Sequence, residues 1–271
     1  MGKIKLTITL LCCLLLLQSK AADSTVNLKL VTSIQGSFAD FSVDNLGNIY
    51  LLTTTNQIKK LNEKFDSVGL FNDVKRYGSI YSIDASNPLK VLVYYKDFLT
   101  VVVLDRFLNI RNTIDLRKQN IVQARAITQS YDNNIWVFDE LDAKIKKLDE
   151  TGKVLVESAD FRMLFDEVPN PYKLIDADGF LYLYNTKYGF TVFDYYGAMK
   201  SNYSLTGWKD VQVQNGYLTG SDSNYLYKSK PQTLFFEKFR VNINLGNAIK
   251  VFNSTSLLYV LKKDGLDIYT Q

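Results

Sequence analysis

The stretch Asp44-Asn45-Leu46-Gly47-Asn48-Ile49-Tyr50-Leu51 decides the fold. It is a turn of Asp, Asn and Gly that runs straight into an apolar and aromatic strand. Asp, Asn and Gly turn the chain because they tolerate left-handed backbone or bond locally to it. Ile, Tyr and Leu suit a pleated, buried surface. The pattern returns as Tyr131-Asp132-Asn133-Asn134-Ile135-Trp136-Val137-Phe138 and as Asp176-Ala177-Asp178-Gly179-Phe180-Leu181-Tyr182-Leu183. Related apolar runs occur at residues 91–94, 216–219 and 257–260. Taking Tyr50, Leu92, Trp136, Tyr182, Tyr217 and Leu258 as equivalent gives steps of 42, 44, 46, 35 and 41 residues.

A period of about 40 to 50 residues carried only by strands signals the blades of a β-propeller. The six copies predict an all-β, six-bladed ring. The continuous apolar runs suit second strands covered on both faces by neighbouring blades. Third strands such as Gln57-Ile58-Lys59-Lys60-Leu61 and Lys144-Ile145-Lys146-Lys147-Leu148 alternate apolar and polar residues, the sign of one wetter face. Outermost strands are expected near Val68–Phe71, Asn109–Leu116, Val154–Ser158, Asn202–Leu205 and Leu234–Phe239. The sixth copy lacks one, because the chain stops at Gln271. The strand-like segment Val26–Val31 is expected to supply it, closing the ring and removing an open edge.

Residues 1–21 read as a Sec signal peptide rather than as part of the fold. Lys3 and Lys5 precede the apolar run Ile8–Leu17, and Ser19 and Ala21 offer small residues at the −3 and −1 positions of a cut after Ala21. About ten apolar residues are too few to span a bilayer, which takes roughly 20. Leu11 before Cys12, and the early position of that cysteine, argue against a lipoprotein signal. Residues 22–271 then form one propeller domain. Losing Lys3, Lys5 and Lys20 leaves 29 basic against 28 acidic side chains. A nucleic-acid partner is not expected, since such domains usually carry a concentrated basic face.

Both cysteines, Cys12 and Cys13, lie in the leader, so the mature chain folds without a disulfide. A domain of this size can, because it buries roughly three quarters of its unfolded surface. The sequence contains no histidine. That excludes a Ser-His-Asp triad, a Cys-His pair and any His-ligated zinc or iron site.

The repeats resemble six-bladed propellers of the NHL and YVTN-like kind, in which Asp-x-x-Gly-Asn-[Ile/Leu]-[Tyr/Trp]-Val opens the second strand. Residues 44–51 match well, 132–137 and 178–183 match in part, and the resemblance fades in blades five and six. These motifs build turns and fill gaps between blades, so they carry over no catalytic residue. The richness in Tyr, Asn and Lys resembles exported envelope proteins of Bacteroidota, whose single-domain propellers can serve as accessory subunits of outer-membrane secretion or assembly machines. That resemblance implies a non-enzymatic protein-binding scaffold, periplasmic or peripherally attached to the outer membrane, with an envelope protein as partner. A carbohydrate- or peptidoglycan-binding module is an alternative, suggested by the many aromatics. Another is a hydrolase or lyase with a divalent cation in its channel, as in lactonases of similar fold. Oxygen ligands for calcium need no histidine, and Asp40, Asp210, Asn244 and Asn247 are the candidates. The absence of a Glu near the start of any first strand counts against that family's metal site, and no cofactor is expected.

Ligands of such propellers are expected where the loops between blades and the loops joining first and second strands gather. Loops on a rigid frame concentrate binding residues. The inter-blade connectors carry Lys75, Arg76, Tyr77, Arg125, Tyr172, Lys173, Trp208 and Lys209, a basic and aromatic set suited to an acidic peptide, glycan or lipid headgroup. Ordinary solvated charge is the plainer reading, since Asp73, Asp160, Asp166, Glu167 and Asp210 lie among them. The longest connector, residues 160–173, has apolar residues at 161, 164, 165 and 168, the spacing of a short amphipathic helix. Phe161, Leu164 and Phe165 would then either dock a partner or simply pack onto the blade edges, and packing is favoured.

Overall fold

The computed structural model describes residues 24–270. The expected leader, residues 1–21, lies outside them. Six antiparallel sheets form a ring of blades. From channel to rim, blade one is Phe38–Val43, Ile49–Thr53, Ile58–Leu61 and Ser67–Phe71. The first strands of the other five blades are Ser82–Asn87, Ala124–Gln129, Lys173–Ala177, Lys209–Gln214 and Lys250–Asn253. First strands of successive blades contact one another all the way round, and blade six meets blade one.

The second strands behave as their composition demands. Every residue of Lys90–Tyr95 and of Ile135–Asp139 is buried. Their apolar side chains fill the gaps between blades: Tyr50 and Leu52 of blade one share a core with Val91, Val93 and Tyr95 of blade two. The turn motif is equally physical. Asp44 Oδ1 accepts the backbone N–H groups of Leu46 and Asn48, both at 2.9 Å, while Oδ2 accepts Asn48 Nδ2 at 2.8 Å and the buried Tyr50 hydroxyl at 3.1 Å. Gly47 sits at φ +80°, which favours glycine. Asp105, Asp149 and Asp194 each grip the N–H groups two and four residues on in the third turns of blades two, three and four.

The ring is closed by the N-terminal segment, with a shifted register. The fourth strand of blade six is Lys29–Gln35, antiparallel to Gly265–Thr270, rather than residues 26–31. Ser24–Val26 instead pairs in parallel with Phe236–Val241 and adds a fifth strand to blade five. Leu28 makes the crossing between the two blades, with its side chain buried in the core that they share. One apolar residue anchored at the crossing thus divides the segment into two short strands. The outer strand of blade four also lies earlier than expected, at Met199–Tyr203.

Candidate binding face

Antiparallel alternation sends the inter-blade connectors and the second hairpins to one end of the ring, the connector face. The loops joining first and second strands lie with the third turns at the opposite end. The expectation that connectors and first loops share a face is therefore corrected, since a single strand crossing separates them.

Near the connector face the first strands project charged residues around the channel: Asp40, Asp84, Arg125, Lys173, Asp210 and Lys250. Irregularities in the strand pairing flank four of them, between Phe38 and Asp40, Asp84 and Asn87, Ala124 and Ala126, and Lys209 and Gln212. Such bulges re-aim side chains. Lys250 Nζ bonds Asp40 Oδ1 at 2.6 Å and the carbonyl of Phe41 at 2.7 Å, joining blade six to blade one. Asp84 Oδ2 accepts the Thr128 hydroxyl and the Gln129 N–H, both at 2.7 Å. Arg125 lies 3.7 Å from Glu140, and its buried Nε has no partner among the described residues. Asp210 has left-handed backbone at φ +52° and accepts the Val251 N–H at 2.9 Å. Burial pushes its carboxyl above the usual carboxylate range, against the pull of that bond and of Lys250 and Lys173.

Lys173 is the unpaired member of this set. No acid lies within ion-pairing distance of it among the described residues. The channel wall encloses it, and the lumen still leaves its side chain partly accessible. Desolvation, then the positive charge of Lys250, lowers its ammonium to about 8. Beside it a half-open recess of about 290 Å³ is bordered by Tyr172, Lys209, Asp210, Ser221, Ser223 and Ile249.

The connector residues chosen from the sequence divide into two groups. Lys75, Arg76 and Lys209 are exposed on this face, and Tyr172 keeps 39 % exposure with its ring edge-on to Tyr184 at 5.4 Å. Tyr77 and Trp208 are core residues, a correction to their place among partner contacts, and Phe161 is a core residue too, in line with the favoured packing reading. The Tyr77 ring packs on Tyr95 at 5.2 Å. Phe161 stacks on Phe193 at 5.3 Å with 4° between the planes, and Leu164 and Phe165 pack beside it. Trp208 stacks on Tyr227 at 5.1 Å and presses on Gly220, where an added Cβ would meet its ring at 2.8 Å. The expected helix in the long connector is a single turn, Phe161–Leu164, and its apolar side serves packing.

Three of the proposed channel oxygens are already engaged within the protein. Asp40 is held by Lys250, Asp210 faces Val251, and Asn244 Oδ1 accepts the Gly246 N–H at 2.7 Å. Two lysines among the carboxylates make this donor set a poor fit to a cation. Among the described residues no group of three acids, histidines or cysteines is placed to hold a metal.

A second recess, about 670 Å³, opens on the turn face beside Asn45, Asn87, Ser130, Tyr131, Asp178 and Tyr195. Sequence reasoning missed its floor. Asp176 accepts Ser130 Oγ and Trp136 Nε1 at 3.0 Å and the Tyr195 hydroxyl at 2.7 Å. Lys147 lies among Tyr131, Trp136 and Tyr195, 5.0–5.3 Å from their centroids, and pairs with Asp132. This network ties blade three to blade four. The sequence showed Tyr131, Trp136 and Asp176 only as repeat positions, and Lys147 only within the run Lys144–Leu148, with nothing to pair them across blades.

No family model and no curated protein matches the chain. Solved structures do. Virginiamycin B lyase from Staphylococcus aureus superposes with a TM-score of 0.64 at 12 % identity, over 90 % of this chain and 99 % of that one. A catalytically inactive form of that lyase, with alanine replacing a histidine, was solved with Quinupristin. The Pan2 WD40 domain of Neurospora crassa matches with a TM-score of 0.60 at 9 % identity, over 91 % and 97 % of the two chains. The extracellular domain of BT4673 from B. thetaiotaomicron gives 0.56 at 13 % identity, over 86 % of this chain and 33 % of that one. These likenesses establish the six-bladed propeller. Neighbours of the fold include a lyase, a WD40 domain and an extracellular domain.

Proposed function

We propose that the chain is a non-enzymatic protein-binding scaffold of the bacterial cell envelope, an accessory subunit of an outer-membrane secretion or assembly complex. The observation that carries this reading is the recess on the connector face. It has an aromatic rim in Tyr172, an exposed cation in Lys209 and, beside it, Lys173, unpaired among the described residues. Its volume lies at the small end of ligand pockets, which run from about 300 to 1,000 Å³. That size suits one or two side chains of a partner, with an acidic group among them, better than an enclosed substrate. Aromatic and basic residues commonly anchor protein interfaces. The extracellular neighbour is compatible with export.

The lyase neighbours favour catalysis as the second reading. A histidine is needed for activity in that lyase, and this sequence has none. Sugar binding would use Tyr172 with Ser221 and Ser223, so Tyr172→Ala, rather than a change at the buried Trp208, is its informative substitution.

The test is recovery of the protein from native envelopes in mild detergent after in-cell crosslinking. A co-purifying envelope protein, lost with Tyr172→Ala plus Lys209→Glu, is the expected result. Recovery solely as a free monomer, or a partner unaffected by both substitutions, would sink the proposal.

A further inference from the structure

Blade five ends in a hairpin unlike the other third turns. Lys230-Pro231-Gln232-Thr233-Leu234-Phe235 joins Tyr225–Ser229 to Phe236–Val241. It is held by the Lys230 N–H on Phe235 O at 3.2 Å and by the Thr233 hydroxyl on Lys230 O at 2.9 Å. On this ordered frame Leu234 is fully exposed and Phe236 half-exposed, with Phe235 between them. Phe236 lies against Tyr227 and Trp208 on one side, but Leu234 leaves its whole side chain in water, an unfavourable hydration that no contact in the fold offsets.

A cationic aromatic cluster adjoins the tip. Phe235 meets Tyr217 edge-on at 5.6 Å, and the ammonium groups of Lys228 and Lys230 lie 4.2 and 6.0 Å from the Tyr217 centroid. Glu237 and Asp178 are the acids nearby, while Lys238 on the next strand turns away from the tip to Tyr225 and Asp222. Amphipathic rings with lysines match the interface of a bilayer, where rings sit at headgroup level and lysines meet anionic lipid.

The described N-terminal segment approaches from the same end. Ser24–Val26 runs parallel to Phe236–Val241, with Ser24 opposite Phe239 and Val26 opposite Val241. The chain therefore enters blade five from the end that carries the hairpin.

We propose that this end of blade five is a membrane-docking element, inserting Leu234 and Phe235 at the surface of an anionic bilayer with Lys228 and Lys230 on its phosphates. The element lies on the turn face, opposite the partner recess, so a scaffold docked here presents its connector face away from the membrane. Docking does not depend on the partner reading, because its test contains no other protein.

The test is co-sedimentation of the protein, as recovered from expressing cells, with phosphatidylcholine vesicles with and without phosphatidylglycerol. Binding is expected to the phosphatidylglycerol vesicles, to weaken with salt, and to fall at least tenfold in Leu234→Asp plus Phe235→Ser with the melting temperature unchanged. Met163→Ser, on the opposite face, is expected to bind like the parent. The proposal is overturned if the parent stays in the supernatant, if it binds both vesicle types equally, if the double variant binds undiminished, or if Met163→Ser releases the protein instead.

Discussion

Leu28 and Asn242 exchange two hydrogen bonds across 214 residues of sequence: the Leu28 N–H donates to Asn242 Oδ1 at 2.9 Å, and Asn242 Nδ2 donates to Leu28 O at 3.1 Å. The Asn242 amide satisfies the backbone where the N-terminal segment leaves blade five and has not yet joined blade six. It does for one peptide unit what a sheet ladder does elsewhere.

Asn242→Ala is accordingly expected to destabilise the protein by about 1–3 kcal/mol, the usual cost of leaving such groups without partners. Thermal melting should fall by a few degrees, since about 1 kcal/mol moves a domain of this size by roughly 2–4 °C. Deleting residues 22–32 should cost much more, because it also strips most of the outer strand from blade six. A deletion variant that melts with the parent would show that the ring does not need this closure.

Asp44 carries a second prediction. Its two oxygens accept four donors, one of them the hydroxyl of the fully buried Tyr50. Asp44→Ala is expected to lower the urea-unfolding free energy by about 2–4 kcal/mol, because a buried hydroxyl and two turn amides lose their acceptor. Asp44→Asn keeps one oxygen in place and should recover part of the loss. Adding Tyr50→Phe to Asp44→Ala should cost less than the sum of the two single changes, since the orphaned hydroxyl goes with it.

How much of this was legible in the sequence follows from where each signal is stored. The blades were readable because each keeps its turn and second strand within some ten consecutive residues, as at 44–51. The closing strand was readable in existence and wrong in register. Lys29–Gln35 buries little of its side-chain surface, and a strand without a strongly apolar face leaves its register loosely specified. The channel set was harder. Asp40, Arg125, Lys173, Asp210 and Lys250 come from five blades, and strand irregularities disturb the alternation that would have marked them as facing the channel. Trp208 and Tyr77 were misjudged for a related reason. Connectors in this ring fold back over the gaps between blades, so an aromatic in a loop can be as buried as one in a strand.

Trp208 and Tyr172 should separate structure from binding. Trp208→Ala removes a buried indole packed on Phe190, Tyr227 and Gly220, and is expected to cost about 3–5 kcal/mol. Tyr172→Ala, at the rim of the recess, should cost no more than about 1–2 kcal/mol while abolishing partner recovery. Urea unfolding of the two variants, measured with partner capture, checks both. Equal destabilisation by the two would mean that Tyr172 is a packing residue.

Lys173 supplies the pH prediction. Its folded-state value, about 8, lies below the ordinary 10.5. Between those values the unfolded chain binds more protons than the folded one, so this group makes stability rise with pH across that window. Below about pH 8 the cost of the buried ammonium is fully present, and above about 10.5 it is gone. Lys173→Met keeps the volume and removes the charge. It should stabilise the protein near neutral pH by about 1–3 kcal/mol and flatten the stability profile between pH 8 and 10.5. At pH 8 about half of Lys173 would be free amine, against well under 1 % of a lysine with an unshifted value. Site-resolved acetylation read by mass spectrometry should therefore modify Lys173 ahead of the exposed Lys75 and Lys209, and lowering the pH to 6 should suppress its reaction. Labelling of Lys173 no faster than Lys75 at pH 8 would show an ordinary ammonium in the channel, with an acid close enough to hold its proton.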